Sequence, residues 1–263
     1  MRSAPHITVA PNGARLQKAD HPAVPLTPQE LAQTARLCHD AGARRIHLHV
    51  RDASGAHSLD VGLYRAAISA VKRAVPALEI QVTTEAAGRY QVAEQWALLR
   101  GLKPQSASIA VREIARAPTP ELGAMIYKTA LGLNIQVQHI LYDETCLDRL
   151  IAWRLRGDVG QSQNDVLLVL GQYAPPRAAR PGELAAFVAR ARLAGLQTTV
   201  CAFGPQEQAC LVEAAHLGCA LRVGFENNIT APDGAIWADN ARAVASLRAA
   251  CAAQDLRDKV CAP

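Results

Sequence analysis

The chain has 263 residues, half of them hydrophobic and 19% charged, with 17 Gly and 15 Pro. That much apolar residue can bury a core, which excludes a mainly disordered chain, and composition and size exclude a collagen, a coiled coil, a small disulfide scaffold and any run near the ~18–20 apolar residues of a membrane span. The net charge of +5 rests on 28 cations, mostly Arg and spread along the chain, and aromatics make only 4%, so neither nucleic acid nor a membrane is an expected partner.

In chain order, β-type runs fall at Ile7–Ala10, Arg45–Val50, Glu79–Thr84, Ser106–Val111, Asn134–Ile140, Val166–Gly171, Thr198–Ala202 and Ala220–Phe225. Amphipathic helix-type stretches lie between them, among them Pro28–Ala41, Val61–Ala74, Gln91–Arg100 and Pro181–Ala194. The first of these has Thr27 as N-cap, Pro28 at its first position and Glu30 in its first turn, and Gly42 stops it. Gly195 closes the helix before the seventh strand in the same way. Strand–helix alternation in one composition regime, without repeats or linkers, predicts an α/β fold in which residues 1–263 form a single (β/α)8 TIM barrel domain. A doubly wound open sheet is the rival; it would often carry a Gly-rich phosphate turn after its first strand, and Asn12-Gly13 is not one.

The seven cysteines (38, 146, 201, 210, 219, 251 and 261) are odd in number, widely spaced and form no CxxC. They read as reduced and mostly buried in a cytoplasmic protein. The opening MRSAPHITVAPNG has no apolar export core, which also points to cytoplasmic residence.

In a barrel, inward-pointing residues at the C-terminal ends of the strands form the site, and residues i and i+2 share a face. The second strand reads Ile46-His47-Leu48-His49-Val50. Its apolar residues share the face toward the helices, so His47 and His49 point inward and can bind one metal ion; Zn²⁺ suits this nitrogen set. The other reading is a pair of hydrogen-bonded core histidines. On the last strand Arg222, Gly224 and Glu226 share a face. Closure places the first strand between the second and the last, so Glu226 can reach the histidines, with Gly224 expected to leave room for that approach. Together His47, His49 and Glu226 make a three-ligand site with an open position. A salt bridge from Glu226 to Arg222 or Arg51 is the competing reading.

On the third strand Gln81, Thr83 and Glu85 share a face: Thr83 can bond a bound carboxylate, and Glu85 can act as a base or hold a cation, against plain rim polarity. On the fourth, Ser106, Ser108 and Arg112 share a face; Ser108 can meet a substrate carboxylate, and Arg112 can bind an anion or pair with Glu85 or Glu113. On the fifth, Asn134, Gln136 and Gln138 form the polar face, which sets His139 on the other one as structural. Arg15, in the loop leaving the first strand, can pair with an anionic substrate, and His21 in the same loop is a candidate for substrate contact or for packing.

Four stretches, Ile7–Gly13 (ITVAPNG), Ala23–Glu30 (AVPLTPQE), Ala41–Asp52 (AGARRIHLHVRD) and Arg222–Asn228 (RVGFENN), resemble the β-keto acid cleavage enzyme family, whose founding activity is 3-keto-5-aminohexanoate cleavage. The resemblance implies a zinc-dependent (β/α)8 barrel, usually a homotetramer, that exchanges acyl groups between a β-keto acid and acetyl-CoA by a retro-Claisen reaction, giving acetoacetate and a new acyl-CoA. Carried over by residue, His47, His49 and Glu226 match the zinc ligands, Arg222 the catalytic arginine, and Thr83 a substrate-binding serine. Two positions depart from the pattern. Arg15 replaces an acid that binds a substrate amino group, which suits a negative or neutral substrate tail instead. Asn227 replaces the Asp that works with the arginine as the base, which leaves Glu85 as the local candidate. Two readings from other classes stand beside this one. A metal-dependent hydrolase of the amidohydrolase type would place its His-x-His on the first strand and need later histidines. A catalytically inactive relative would bind the keto acid or acyl-CoA, as Asn227 suggests.

Overall fold

The computed structural model describes residues 4–172 and 177–260, and Cys261 lies outside the described residues. Local chemistry starts the first helix as the sequence predicts. The Thr27 hydroxyl accepts the Glu30 N–H at 3.2 Å, and the Glu30 carboxylate accepts the N–H groups of Leu26 and Thr27 at 2.9 and 3.0 Å. This capping box opens the helix at Pro28, and Gly42 closes it at φ +118°.

The strands are β1 (Ile7–Val9), β2 (Arg45–Leu48), β3 (Val50–Arg51), β4 (His57–Ser58), β5 (Glu79–Thr83), β6 (Ser106–Ala110), β7 (Gln136–Leu141), β8 (Asp165–Leu170), β9 (Gln197–Ala202) and β10 (Ala220–Val223). The helices are α1 (Pro28–Ala41), α2 (Val61–Ala74), α3 (Val92–Leu102), α4 (Val111–Ile114), α5 (Pro120–Gly132), α6 (Glu144–Arg156), α7 (Leu184–Leu193), α8 (Glu207–His216) and α9 (Asn240–Val260), with a 3-10 turn at Pro181–Glu183 before α7. All strands except the β3–β4 hairpin close into a parallel barrel in the order β1-β10-β9-β8-β7-β6-β5-β2, so β1 sits between β2 and β10. No described helix is long and apolar enough to cross a membrane.

Period-2 alternation divides the strands between two environments. Ile46, Leu48, Ile80, Val82, Ala107 and Ile109 face outward into the main core shared with the helices. Ala110, Ile140, Leu167, Val169, Cys201 and Phe203 form a separate small cluster inside the barrel. The rest of the interior is polar and buried: His47, Gln81, Thr83, Ser108, Gln138, Thr199 and Arg222. Buried polar groups cost free energy unless bonded; His47, Gln81, Gln138 and Thr199 are bonded in a chain, while Ser108 and part of Arg222 keep unpartnered polar atoms among the described residues.

Several sequence runs outlast the strands they predict. The run Arg45–Val50 breaks at His49, and Val50–Arg51 turns away to pair antiparallel with His57–Ser58. The Asp52 carboxylate drives that turn by accepting from Ser54 N–H and Ala56 N–H at 2.9 and 3.1 Å. The run Ser106–Val111 turns helical at Val111, so Arg112 enters the site from a helical turn and not by strand alternation. The run Asn134–Ile140 begins at Gln136 and extends to Leu141, because Asn134 has φ +55°. The last run ends at Val223, where Gly224 takes φ +139°. The six described cysteines are buried, as expected.

Candidate metal centre and active site

His47 ends the inward row of β2, and His49 follows at the break where the chain leaves the barrel. Their Nε2 atoms lie 3.1 Å apart, and Glu226 Oε2 lies 3.6 Å from the first and 3.4 Å from the second. All three residues are buried, and their ligand atoms fall within 4.8 Å of one another. Two expected readings of Glu226 coexist: its Oε2 faces the histidines while its Oε1 accepts from Arg222 Nη2 at 3.1 Å. Arg51 is engaged elsewhere, donating to the Gly13 carbonyl.

His49 and Glu226 are held from outside their own strands. Asn12, fully buried, donates from Nδ2 to the Pro25 carbonyl at 2.9 Å and to the His49 carbonyl at 3.1 Å. Glu226 N–H donates to the Ala10 carbonyl at 3.1 Å. Phe225 N–H donates to Asn240 Oδ1 at 2.9 Å, and Asn240 Nδ2 reaches the Pro11 carbonyl at 3.1 Å. The room for Glu226 comes from Gly13, where an added Cβ would stand 2.7 Å from Glu226 Cγ. Gly224 has a different role from the one expected: a Cβ there would meet the Ala10 carbonyl at 2.5 Å, so this glycine admits the backbone of β1.

Burial sets the protonation of the triad. It pushes His47 down to about 4 and His49 down to about 3, so both rings are neutral near pH 7. Burial works to raise Glu226, but Arg222 and the two imidazoles outweigh it and hold the carboxyl well below the usual range. The carboxylate is therefore ionised, and its buried Oε2 has no hydrogen-bond partner among the described residues. A buried anionic oxygen facing two neutral ring nitrogens is unfavourable as it stands. A divalent cation at their common centre would satisfy every lone pair, so the donor set fits a metal.

A cavity opens over this triad. Its wall includes Arg15, Thr83, Glu85, Ser108, Arg112 and Arg222 beside His47 and Glu226. Arg222 spends Nη2 on Glu226 and on Cys201 Sγ, while its buried Nε and Nη1 have no partner among the described residues. The buried Ser108 hydroxyl likewise has none. Thr83 Oγ1 accepts the Glu85 N–H at 2.9 Å, which leaves its own O–H to donate. The Glu85 carboxyl lies 4.0 Å from His49 Nε2 and is pushed up to about 7, first by burial and then by Glu226 and Glu113. The Arg112 guanidinium stacks on the Tyr142 ring, 3.3 Å from its centroid, rather than pairing with Glu113, whose carboxylate accepts from Ala86 N–H and Gln95 Nε2.

Two expected residues stand off this wall. Asn227 is buried, its side chain without a hydrogen-bond partner among the described residues, and it does not line the cavity. His21 packs its ring on Phe225, with Nε2 2.8 Å from the Trp237 carbonyl and Nδ1 accepting the Ala23 N–H, so it braces its loop. His139 faces outward as expected, with Nε2 3.1 Å from the Gln163 carbonyl. Sequence reasoning missed Asn12, Gly13 and His57. His57 is buried on β4, its ring 5.1 Å from that of His49 and its Nε2 2.9 Å from the Glu85 carbonyl. Only the hairpin brings it there, and no spacing signal marks it.

A family model described as beta-keto acid cleavage enzyme matches residues 6–261. A 3-keto-5-aminohexanoate cleavage enzyme of Fusobacterium nucleatum is 27% identical over 90% of this chain and 88% of its own length. A 3-oxoadipate:acetyl-CoA acetyltransferase of Cupriavidus necator is 25% identical over 93% of this chain and 87% of its own. Among solved structures, apo ObcA superposes with a TM-score of 0.71 at 17% identity, covering 89% of this chain; the chain spans 63% of that protein's length, and the likeness shows the fold.

Proposed function

Because this chain belongs to the beta-keto acid cleavage enzyme family, we propose that it exchanges acyl groups between a β-keto acid and acetyl-CoA, giving acetoacetate and a new acyl-CoA, with Zn²⁺ held by His47, His49 and Glu226. One observation carries this reading: a buried carboxylate oxygen faces two neutral imidazoles on the wall of a cavity where Arg222 keeps two guanidinium nitrogens, and among the described residues none of these three atoms has a hydrogen-bond partner. The names of the Fusobacterium and Cupriavidus relatives support the reaction class.

When bound, zinc supplies Lewis-acid polarisation of the keto acid's oxygens. The chain's own residues do the rest. Thr83 and Ser108 donate hydroxyl hydrogen bonds to the substrate carboxylate. Arg222 turns Nε and Nη1 toward the oxygen that gains negative charge, the largest electrostatic demand in such a reaction. Glu85, pushed up to about 7, takes a proton from the keto acid's carbon between its carbonyl and its carboxylate, the carbon that then attacks the acetyl carbonyl, at the pH where Glu85 is half ionised, as a general base should. Asn227 is the residue at the family's usual acidic position; off the cavity wall and without a charge, it stays outside the proton transfer in this reading.

Arg15 and Arg112, both exposed at the cavity wall, suit a substrate whose far end is anionic or neutral over one bearing an ammonium group. The test is a panel of β-keto acids with carboxylate, neutral and amino tails, each assayed with acetyl-CoA for acetoacetate. Acetoacetate from the first two classes supports the reading. No product from any acid, with zinc shown to be bound, would favour the inactive binding relative. Among the described residues the amidohydrolase reading lacks its ligands: the third metal-capable group beside the two histidines is Glu226, and β8 carries no His. We also place the catalytic activity in one domain spanning residues 1–263, in the cytoplasm, as a homotetramer, which light scattering of the purified protein would check.

A further inference from the structure

The triad is only the top of a polar column that crosses the barrel. His47 Nδ1 lies 2.8 Å from Gln81 Oε1. Gln81 Nε2 donates to Gln138 Oε1 at 3.3 Å. Gln138 Nε2 in turn donates to both carboxylate oxygens of Asp165, at 3.3 and 3.2 Å, and to Thr199 Oγ1 at 3.1 Å. Gln81 and Gln138 are buried, and Asp165 is the first residue of β8, at the end of the barrel away from the triad.

Such a column has a direction, and one member sets it. A glutamine amide can turn end for end, a hydroxyl can donate or accept, and a neutral imidazole can carry its proton on either nitrogen. An ionised carboxylate can only accept. Burial pushes the Asp165 carboxyl up to about 6, opposed by Gln138 and Arg45, so it is ionised at pH 8. Facing it, Gln138 must present its NH₂ and so turns Oε1 toward Gln81. Gln81 must then donate to Gln138 and accept from His47. The proton of His47 is thereby held on Nδ1, and Nε2 keeps its lone pair toward His49 and Glu226. The reversed column would put a proton on His47 Nε2, in the centre of the triad, where it competes with a cation.

We propose that Asp165 is a positioning residue for the metal centre: by orienting the amides of Gln138 and Gln81 it selects the His47 tautomer that can ligate. The proposal rests on the metal reading given above, and tautomer and affinity can be measured separately. Metal ligands are commonly oriented by such outer partners, whose loss costs roughly 10–100-fold in affinity; Asp165 acts through two intermediates, so the low end applies.

The experiment uses the full chain labelled with ¹⁵N-histidine, metal-free, at pH 8, with the His47 signals identified by their loss in His47→Gln, followed by zinc titration against a chromophoric chelator. Wild type is expected to hold His47 in one tautomer, protonated on Nδ1. Asp165→Asn keeps the shape but supplies both a donor and an acceptor, so the tautomers should mix and zinc affinity should fall about 10-fold. The double variant Asp165→Asn/Gln138→Glu moves the carboxylate one step along the column, facing the NH₂ groups of both neighbours, and should restore the tautomer and bring affinity back near wild type. A structural role alone predicts no such rescue. An unchanged tautomer and affinity in Asp165→Asn, or a double variant no better than the single, overturns the proposal. If Asp165→Asn does not fold, the double variant decides by whether its His47 is protonated on Nδ1. A wild type that binds no zinc yet shows the single tautomer defeats the metal reading and leaves the amide ordering in place.

Discussion

A methyl group at Gly13 tests the triad without replacing any of its three side chains. An added Cβ would stand 2.7 Å from Glu226 Cγ and 3.1 Å from its Cβ, where ordinary contact begins at 3.4 Å. Glu226 must therefore retreat by about 0.7 Å, and a misplacement of that order can cost up to ~100-fold in rate. Gly13 also has φ +55°, so Gly13→Ala adds about 1–2 kcal/mol of backbone strain. The expectation is a metal-free protein that is folded but about 1–3 kcal/mol less stable to denaturant, with zinc affinity and kcat/KM both reduced ~10–100-fold. Gly224→Ala is the contrast. There the methyl meets the Ala10 carbonyl at 2.5 Å, a backbone atom that cannot swing aside, so closure of β10 on β1 should fail and stability should fall by more than about 3 kcal/mol. Chelator competition, denaturant melts and turnover read all of this. If Gly13→Ala loses the expected stability but keeps wild-type zinc affinity and turnover, Glu226 is not positioned as a ligand and the account of the site fails.

Three further outcomes follow from the same geometry. His47→Ala should lose both metal and activity, because two remaining ligands hold zinc poorly; elemental analysis showing full occupancy in the variant would refute this. Glu85→Gln should lower kcat by about 100-fold while KM changes less, and an unchanged kcat would remove Glu85 as the base. Asp165, held at about 6 in the folded state, keeps its proton there more tightly than in the unfolded chain. Its stability contribution is full below the unfolded value near pH 4 and is lost as pH rises through 6. The difference in unfolding free energy between wild type and Asp165→Asn should therefore move by ~1–2 kcal/mol in the variant's favour from pH 4 to 7, less than the full shift implies because the side chain is 33% exposed. Denaturant melts of both proteins across that range would show a flat difference if burial does not raise this carboxyl.

Strand alternation made much of the cavity wall legible. His47, Thr83, Ser108 and Arg222 lie where a period of two places them, because each sits within a strand whose other face is apolar and must meet the helices. The rule gave the right neighbourhood for Glu85, Arg112 and Glu226 although each lies past the end of its strand. Their placement comes instead from the Thr83 hydroxyl, the helical turn at Val111, and the bend at Gly224.

The sequence by itself determined the barrel, the capped first helix and the pair of inward histidines, since these depend on periodicity and on groups a few residues apart. Closure of the barrel decided the rest. Asn12 bracing His49, Gly13 making space for Glu226, His57 behind Glu85 and the amide column from Asp165 to His47 join residues far apart in the chain. Such contacts are selected by shape and hydrogen-bond satisfaction in a closed interior, which no local pattern encodes.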